Sequence, residues 1–499
     1  MDSLGDTSGM SSSAVPVCSS RCLLSPLSRS LSRSGKSILH IDPNNYYGGA
    51  DAAFSLQEAE TWASSITAAT DNDRGTFKSA SITKPDGNTG LSFPRAYTLA
   101  LSPQVIHARS KLLSQLVSSR AYRHVEFLAV GSFYIFKPTT RSSQKPSLVR
   151  IPSTREDVFF TTAIPTKAKR GLMKFLKFVL GYDSEQQLET WQPYADGPLA
   201  DFLKNEFKMD AELQTYILAL TLSLDGLITT RDGLSTIYRH LTSMGVFGPG
   251  FAAVYPKWGG ISEVAQVACR AGAVGGAVYM LATGIREMEM SGDSIELRLT
   301  SGDTVKTRML VRNDKNAEVG NGVSRLAAIV GSPLKSLFEA LVEGAPLPAV
   351  AVITFPAGSL MTTSGKAYDY PVYAFAHSSD TGECPVGQSI LYLTTSTTPD
   401  AKEILAQSLQ LLSEAIDADH IPLSLFQMYH EHGRGSVASR PDGSIFNFPD
   451  ASLSLLFDDS TLEPVHEAWK QVMGEAEVDT DYMTFPDREG VMDDEDMYD

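Results

Sequence analysis

Residues 37–49, SILHIDPNNYYGG, constrain the fold of this chain more than any other stretch. The run 37–41 predicts a short buried strand. Asp42 and Pro43 end it, because the residue before a proline is kept out of the helical region. An acidic residue after the second strand of a Rossmann unit normally holds a ribose hydroxyl. That assignment also needs a G-x-G-x-x-G turn about 20 residues upstream, and none occurs there. The chain therefore carries half of a dinucleotide fingerprint, followed by a Tyr-Tyr-Gly-Gly loop.

The amino-acid composition argues against several classes of protein. A chain of 499 residues with 42% hydrophobic content predicts two or three domains around a large core. A net charge of -16 argues against a nucleic-acid binder, which needs a basic face. The four cysteines are too few and too scattered for a disulfide framework or a zinc site, so we expect a reducing, cytoplasmic setting and no metal. The uncharged runs 213–224 and 271–285 fall short of the roughly 20 residues that cross a bilayer.

The two ends of the chain differ sharply in charge. Residues 1–36 are Ser-rich, and 8–36 contain basic residues but no acid, as in a disordered basic tail or a transit peptide. Residues 475–499 contain eleven acidic residues and one arginine. Such a composition predicts a disordered acidic tail that serves solubility or weakly steers a basic partner.

Periodicity predicts the elements between the two ends. Residues 153–245 read as nearly all helix, with Asp210 capping one of the helices. Residues 103–116 have helical spacing, whereas 125–130 and 132–136 read as two strands joined at Gly131. Further strands are predicted near 349–355, 372–376 and 389–393, and a helix at 401–415.

A second diagnostic stretch begins at Gly259-Gly260 and continues as ISEVAQVACR. Glu263 and Arg270 are seven residues apart and so share one helix face, two turns from each other. One acid and one base on an exposed face indicate a protein-recognition surface. They lack the paired carboxylates or the Ser-His arrangement of a catalytic site, so we expect no catalytic residue.

Residues 37–49 and 244–281 together resemble the Rab GDP-dissociation inhibitor and Rab escort protein superfamily. The resemblance implies an α/β, flavin-enzyme-like fold in which 37–154 and 246–474 form one discontinuous domain and 155–245 a helical insert. In relatives a first strand and a Gly loop precede residue 31, and here both look missing or altered. We therefore interpret 8–30 as a frame or splice error in the gene model.

The resemblance also implies the site residues. The Rab-binding platform would comprise Tyr46, Tyr47, Gly48, Gly49, Gly259, Gly260, Glu263 and Arg270. The helical insert would shelter a geranylgeranyl chain, with Phe175, Leu176, Val179, Leu213 and Ile217 as candidates. Burial of such a chain is favourable by roughly 25 cal/mol per Å² without any catalytic group.

The segment from residues 224–229 through 243–250 resembles fungal Rab escort proteins. Such a protein binds GDP-loaded Rab GTPases, presents them to Rab geranylgeranyl transferase and shields the prenyl group for delivery to membranes, which it contacts only transiently. It uses no cofactor and has no enzymatic activity of its own. Two alternatives remain open: a Rab GDP-dissociation inhibitor that recycles prenylated Rabs, and an FAD-dependent oxidoreductase. The oxidoreductase would require a phosphate-cradling glycine loop at a helix N-terminus.

Overall fold

The computed structural model describes most of the chain after residue 13. The described residues are 14–18, 36–69, 76–85, 90–138, 146–152, 155–161, 164–292, 294–313, 322–340, 343–416, 424–433, 440–448, 452–474 and 482–485. The glycine loop expected before residue 31 lies outside these ranges, as does most of the N-terminal stretch interpreted as a gene-model error.

The strands of the described residues are numbered in chain order. They are β1 (Ala14–Cys18), β2 (Ser37–Ile41), β3 (Ala53–Phe54), β4 (Phe77–Thr83), β5 (Leu99–Ala100), β6 (Ile106–His107), β7 (Phe127–Lys137), β8 (Ser147–Arg150), β9 (Ala253–Pro256), β10 (Val278–Met280), β11 (Ile285–Ser291), β12 (Ser294–Leu299), β13 (Thr304–Thr307), β14 (Leu310–Asn313), β15 (Val323–Val330), β16 (Val350–Phe355), β17 (Val372–Ser378), β18 (Ser389–Ser396), β19 (Ser424–His432), β20 (Arg440–Asp442) and β21 (Ile445–Phe448).

The α-helices are numbered in the same way. They are α1 (Leu56–Ala68), α2 (Lys111–Ser118), α3 (Arg155–Phe160), α4 (Thr166–Val179), α5 (Glu185–Trp191), α6 (Leu199–Phe207), α7 (Ala211–Thr221), α8 (Thr230–Ser243), α9 (Ile261–Val274), α10 (Ala401–Ile416) and α11 (Glu463–Met473). Two 3-10 turns matter below, Ala121–His124 after α2 and Asp459–Leu462 before α11.

The first sheet has the strand order β10-β2-β1-β14-β21-β20 among the described strands. Its first five strands are mutually parallel, with Val15 opposite Ile38 and Val17 opposite Val311. Helix α11 packs on this sheet through Trp469, which is almost fully buried. Parallel strands covered by helices are the arrangement typical of Rossmann-related folds.

The predicted loss of the first strand is wrong. Strand β1 occupies a central position of the first sheet, between β2 and β14. The five-residue run AVPVC is apolar enough to form a short strand, but it lies inside a Ser-rich stretch. Averaging composition over that longer stretch hid the run.

The second sheet has the order β4-β19-β15-β18-β17-β16-β7-β9-β6, with β8 also paired to β7. It is antiparallel except between β16 and β7. The predicted break at Gly131 is wrong, because β7 runs through this residue without interruption. A Cβ atom at position 131 would overlap the side chain of Pro348. The glycine therefore allows a close approach between chain segments and does not end the strand.

The described residues between Arg155 and Ser243 form helices α3 to α8. Asp210 caps α7 as predicted, since its side chain accepts a hydrogen bond from the Leu213 N–H at 2.8 Å. The helix predicted over 103–116 is only partly correct. Residues Ile106–His107 pair with β9, and α2 begins at Lys111 after its N-cap Ser110. Isoleucine and leucine satisfy either pattern, so spacing alone placed the helix start too early.

Four residues of the predicted acidic tail are described, and they pack against the body. Met483 and Phe485 are buried, and Tyr482 stacks on His466 with ring centroids 4.4 Å apart. The expectation of disorder throughout 475–499 is therefore wrong for Tyr482–Phe485. Residues 475–481 and 486–499 lie outside the described residues. The acidic composition concealed three apolar side chains within four positions.

Candidate functional site

The Tyr-Tyr-Gly-Gly loop follows β2 and leaves both tyrosines half-buried. Tyr46 packs edge-on against Phe54 at 4.8 Å, and burial raises the pKa of its phenol to about 12. Tyr47 lies edge-on to His40 of β2 and Tyr279 of β10, at 5.8 and 5.7 Å. The loop is thus held by aromatic contacts while part of each tyrosine stays accessible.

Tyr47 also connects the loop to helix α9. The pKa of its phenol is raised, first by burial and then by the nearby charges of Cys269 and Asp42. Cys269 lies on α9, directly before Arg270. The structure therefore brings the loop and the C-terminal half of α9 together, although more than 200 residues separate them in the sequence.

Helix α9 carries Glu263 and Arg270. Its apolar face packs with α2 and the following 3-10 turn through Ile261, Val264 and Ala265. Arg270 is exposed, and among the described residues no carboxylate lies within ion-pair distance of it. Burial raises the pKa of the half-buried Glu263, while the charge of Arg270 opposes that shift. The two side chains therefore interact electrostatically on one face of α9, as their spacing predicts.

Gly259 and Gly260 form the turn from β9 into α9. A Cβ atom on Gly259 would come within 2.8 Å of the Ala53 Cβ, and one on Gly260 within 2.6 Å of the Tyr255 hydroxyl. Ala53 lies just after the Tyr-Tyr-Gly-Gly loop. These glycines therefore permit close packing of the turn against Ala53 and Tyr255 of the same chain. We name the loop (46–49), this turn and α9 the platform.

A buried polar cluster supports the platform on its buried side, and no sequence pattern predicts this cluster. Glu383 is fully buried, and its two carboxyl oxygens have three side-chain partners. The Tyr255 hydroxyl donates to Oε1 at 2.8 Å, and the Tyr392 hydroxyl donates to Oε2 at 3.2 Å. The His377 Nδ1 lies 2.7 Å from Oε2. Burial, followed by the charge of Glu383, raises the pKa of both tyrosines well above the usual value, so the phenols remain donors.

Trp258 covers, from the solvent side, the connection between β17 and β18 that contains Glu383. Its backbone N–H donates to the Thr381 carbonyl at 2.9 Å, and its ring lies over Gly382. The side chain is 50% exposed, and the Lys257 ammonium lies 5.0 Å from the ring centroid. In the sequence, only the position of Trp258 before two glycines and a helix distinguishes this exposed residue.

Asp42 is buried at the end of β2. Its Oδ1 accepts hydrogen bonds from the Asn44 backbone and side chain at 2.8 and 3.0 Å. No described residue offers a partner to Oδ2. Burial raises the pKa of this carboxyl to about 7, against the two Asn44 bonds, which lower it. Asp42, which the sequence pattern suggested as a ribose ligand, therefore fixes the start of the Tyr-Tyr-Gly-Gly loop through its hydrogen bonds with Asn44.

The five candidate prenyl-binding residues lie in the packed core of the helical region. Phe175, Val179, Leu213 and Ile217 are buried, and only Leu176 is half-buried. A Cβ on Gly171 of α4 would lie 4.0 Å from the Leu213 side chain of α7, an ordinary contact distance. In this structure, four of the five candidates contribute to core packing and do not line an open groove.

A cavity of about 830 Å³ lies between the helical region and the second sheet. Leu224, Leu227 and Ile228 line it on the helical side, and Tyr370 and Leu456 line it on the other side. None of the five candidate prenyl-binding residues is among its lining residues. Its volume falls in the range of small-molecule pockets.

Other chemistry is sparse in the described part of the chain. No group of three or more His, Cys, Asp or Glu side chains there is arranged to hold a metal ion. Cys269 and Cys384 are buried thiols. No described helix combines the length and apolar character needed to span a bilayer.

Solved structures share this architecture. The Rab GDI of Plasmodium falciparum superposes with a TM-score of 0.66 at 17% identity, covering 92% of this chain and 98% of that chain. An oxidoreductase of Methanosarcina mazei gives a TM-score of 0.57 at 10% identity, covering 92% and 100%. These likenesses confirm the predicted α/β class with a fold of the flavin-enzyme type.

Sequence similarity identifies the family. The Rab proteins geranylgeranyltransferase component A of Saccharomyces cerevisiae is 29% identical over 402 residues, which are 79% of this chain and 63% of the yeast protein. The chain thus spans less than two thirds of the length of that relative. The family model described as GDP dissociation inhibitor matches residues 17–340 of the 499. Because that match covers more than half of the sequence, the chain belongs to the GDP dissociation inhibitor family.

Proposed function

We propose that this chain is an escort protein for Rab GTPases. It binds a GDP-loaded Rab at the platform and presents the Rab to Rab geranylgeranyl transferase. It then shields the attached geranylgeranyl group until delivery to a membrane. The chain acts in the cytoplasm, meets membranes only transiently and contributes no catalytic group of its own.

The observation that carries this proposal is the convergence of the Tyr-Tyr-Gly-Gly loop and α9. Tyr47, Glu263 and Arg270 offer a half-buried aromatic ring, a half-buried acid and an exposed base on the platform. Such aromatic and arginine side chains are enriched among the residues that dominate binding energy at protein interfaces. Membership of the GDP dissociation inhibitor family supports a Rab GTPase as the partner.

An escort role is favoured over a recycling inhibitor by the relative's name, which describes a component of a geranylgeranyltransferase. The two roles share Rab binding and differ in the second partner. Only an escort protein is expected to bind the transferase. The oxidoreductase alternative rests on fold likeness alone, and a purified protein with flavin absorbance would favour it over the escort role.

The proposed lipid site is the contact between α4 and α7, which we name the seam. Phe175, Leu176 and Val179 on α4 face a core that includes Leu213 and Ile217 of α7. The seam is closed, so an isoprenoid enters only if the two helices move apart. Contact with the lipid then replaces the lost helix contacts, and burial of its apolar surface, at roughly 25 cal/mol per Å², drives binding.

The test is a transfer assay that contains GDP-loaded Rab, Rab geranylgeranyl transferase and geranylgeranyl diphosphate. We expect geranylgeranyl transfer to Rab only when this chain is added. In the absence of vesicles the product should remain bound to the chain in solution, and vesicles added afterwards should take up the prenylated Rab. A recycling inhibitor would extract prenylated Rab from vesicles but would not support transfer, and that result would contradict the escort role.

A further inference from the structure

Helix α4 has a charge opposite to that of the chain as a whole. Its 14 residues include five basic side chains and no acidic one, whereas the full sequence has a net charge of -16. A concentration of one charge on a single surface helix attracts a partner of the opposite charge. The question is which of these cations are available and what kind of partner fits them.

Three of the cations form a row on the outer side of α4. Arg170, Lys174 and Lys177 are exposed, and their spacing places them on one helix face. We name these three residues the basic row. Among the described residues, no carboxylate lies within ion-pair distance of any of them. The Lys174 ammonium lies 5.5 Å from the centroid of the Phe207 ring, a contact that leaves its positive charge uncompensated.

The charges around the basic row do not cancel it. Lys169 is not part of the row, since its ammonium donates to the Phe159 carbonyl at 2.7 Å. The adjoining helix α6, counted with its C-cap Lys208, has two acidic residues and two lysines and so adds no net charge. Asp183 and Glu185 come only after the last turn of α4. The outer face of α4 therefore stays positive.

An apolar strip runs beside the basic row. Met173 and Leu176 are half-buried, and Leu180 is 55% exposed. These three side chains share a face roughly a quarter turn around the helix from the basic row. Cations bordered by aliphatic side chains are typical of helices that lie at a membrane surface, where the cations meet headgroups and the apolar groups enter the acyl boundary. An acidic protein surface would match the cations but not the exposed leucine.

We propose that α4 docks on membranes that contain acidic phospholipids, with the basic row on the headgroups and the apolar strip at the acyl boundary. An anionic surface repels the acidic remainder of the chain, so the chain approaches with α4 foremost. Each cation close to such a surface strengthens binding roughly fivefold, and three together strengthen it about a hundredfold. Binding of this kind is reversible and depends on salt.

The use of this contact in lipid delivery rests on the proposed function, whereas the contact itself does not. Phe175, Leu176 and Val179, three of the proposed prenyl-binding residues, lie on the same helix. Leu176 belongs both to the seam and to the apolar strip. Docking of α4 therefore brings the seam next to the bilayer, so that an isoprenoid can pass from one to the other with little exposure to water.

The test is flotation of the full-length chain with vesicles, in the absence of Rab and transferase. The vesicles contain phosphatidylcholine alone or with about 30% phosphatidylserine, which supplies the anionic surface. We expect binding only to the second kind at about 50 mM salt, and its loss at about 500 mM. The variant Arg170→Gln, Lys174→Gln, Lys177→Gln should bind about a hundredfold more weakly. The variant Arg170→Lys, Lys174→Arg, Lys177→Arg keeps the charge and should bind as the wild type does.

A matched control separates the basic row from net charge. The variant Arg286→Gln, Lys306→Gln, Lys335→Gln removes three exposed cations elsewhere and should bind as the wild type does. Leu180→Ser should weaken binding severalfold, because less apolar surface then leaves water. Melting temperature checks that each variant is folded.

Two results would overturn the proposal. One is equal binding of the wild type to both kinds of vesicle. The other is unchanged vesicle affinity in the folded glutamine variant of the basic row; if that variant also failed to support geranylgeranyl transfer, the row would be a protein contact instead. Vesicle binding that depends on the basic row, in a chain that does not support transfer, would contradict the escort role and uphold the membrane contact.

Discussion

Replacing Glu383 with alanine is expected to lower the free energy of unfolding by about 3 to 5 kcal/mol, the usual cost of breaking a buried polar pair. The truncation leaves the Tyr255 and Tyr392 hydroxyls and the His377 Nδ1 without their common acceptor in a fully buried site. Burial without water makes each orphaned donor costly. Urea denaturation of the wild type and the variant measures the loss.

Glu383→Gln is the matched control, because it keeps the shape and one acceptor oxygen. We expect a smaller loss of about 1 to 2 kcal/mol, since the amide nitrogen then faces donors that must reorient. The alanine variant should also weaken ligand binding at the platform, because Tyr255 supports the turn at Gly260. An alanine variant that unfolds at nearly the wild-type urea concentration would show that the cluster does not hold this region together.

Gly382→Ala is expected to lower the free energy of unfolding by about 2 to 3 kcal/mol, from backbone strain and a steric clash together. Gly382 has φ +74°, and a Cβ there would lie 2.5 Å from the Trp258 ring. The ring must therefore move outward. Trp62, Trp191 and Trp469 are buried, so iodide quenching of fluorescence reports mainly on Trp258. Quenching should increase in the variant.

Gly387→Ala supplies a close control for this effect. Gly387 also has a positive φ, +90°, but no atom lies within 4 Å of a Cβ placed there. We expect only the strain contribution of about 1 to 2 kcal/mol and no change in quenching. Equal losses and equal quenching in the two variants would mean that the ring does not rest on Gly382.

Features set by neighbouring residues could be predicted from the sequence. Strand β2 and its end at Asp42 follow from a short apolar run and the Pro43 that succeeds it. The Asp210 cap follows from a side chain that reaches only the next turn. The shared face of Glu263 and Arg270 follows from helical geometry alone.

Features set by distant residues could not be predicted in this way. His377, Glu383 and Tyr392 lie on the β17–β18 hairpin, and Tyr255 of β9 reaches them only when the second sheet forms. No spacing rule links them. The packing of Tyr482–Phe485 on the body could not be predicted for a different reason, because the composition of the acidic segment outweighed its three apolar side chains. Both examples show that burial depends on which segments the fold brings together.

The central claim is that the platform binds GDP-loaded Rab, and calorimetric titration of the Arg270→Ala variant tests it most directly. Arg270 is exposed, so its truncation should leave the fold intact. Removal of a dominant interface side chain should weaken binding by about 2 kcal/mol or more, roughly a thirtyfold rise in Kd. Arg286→Ala, a change of the same kind outside the platform, should bind as the wild type does. Equal Kd values for the wild type and both folded variants would contradict the account and place the Rab-binding surface elsewhere.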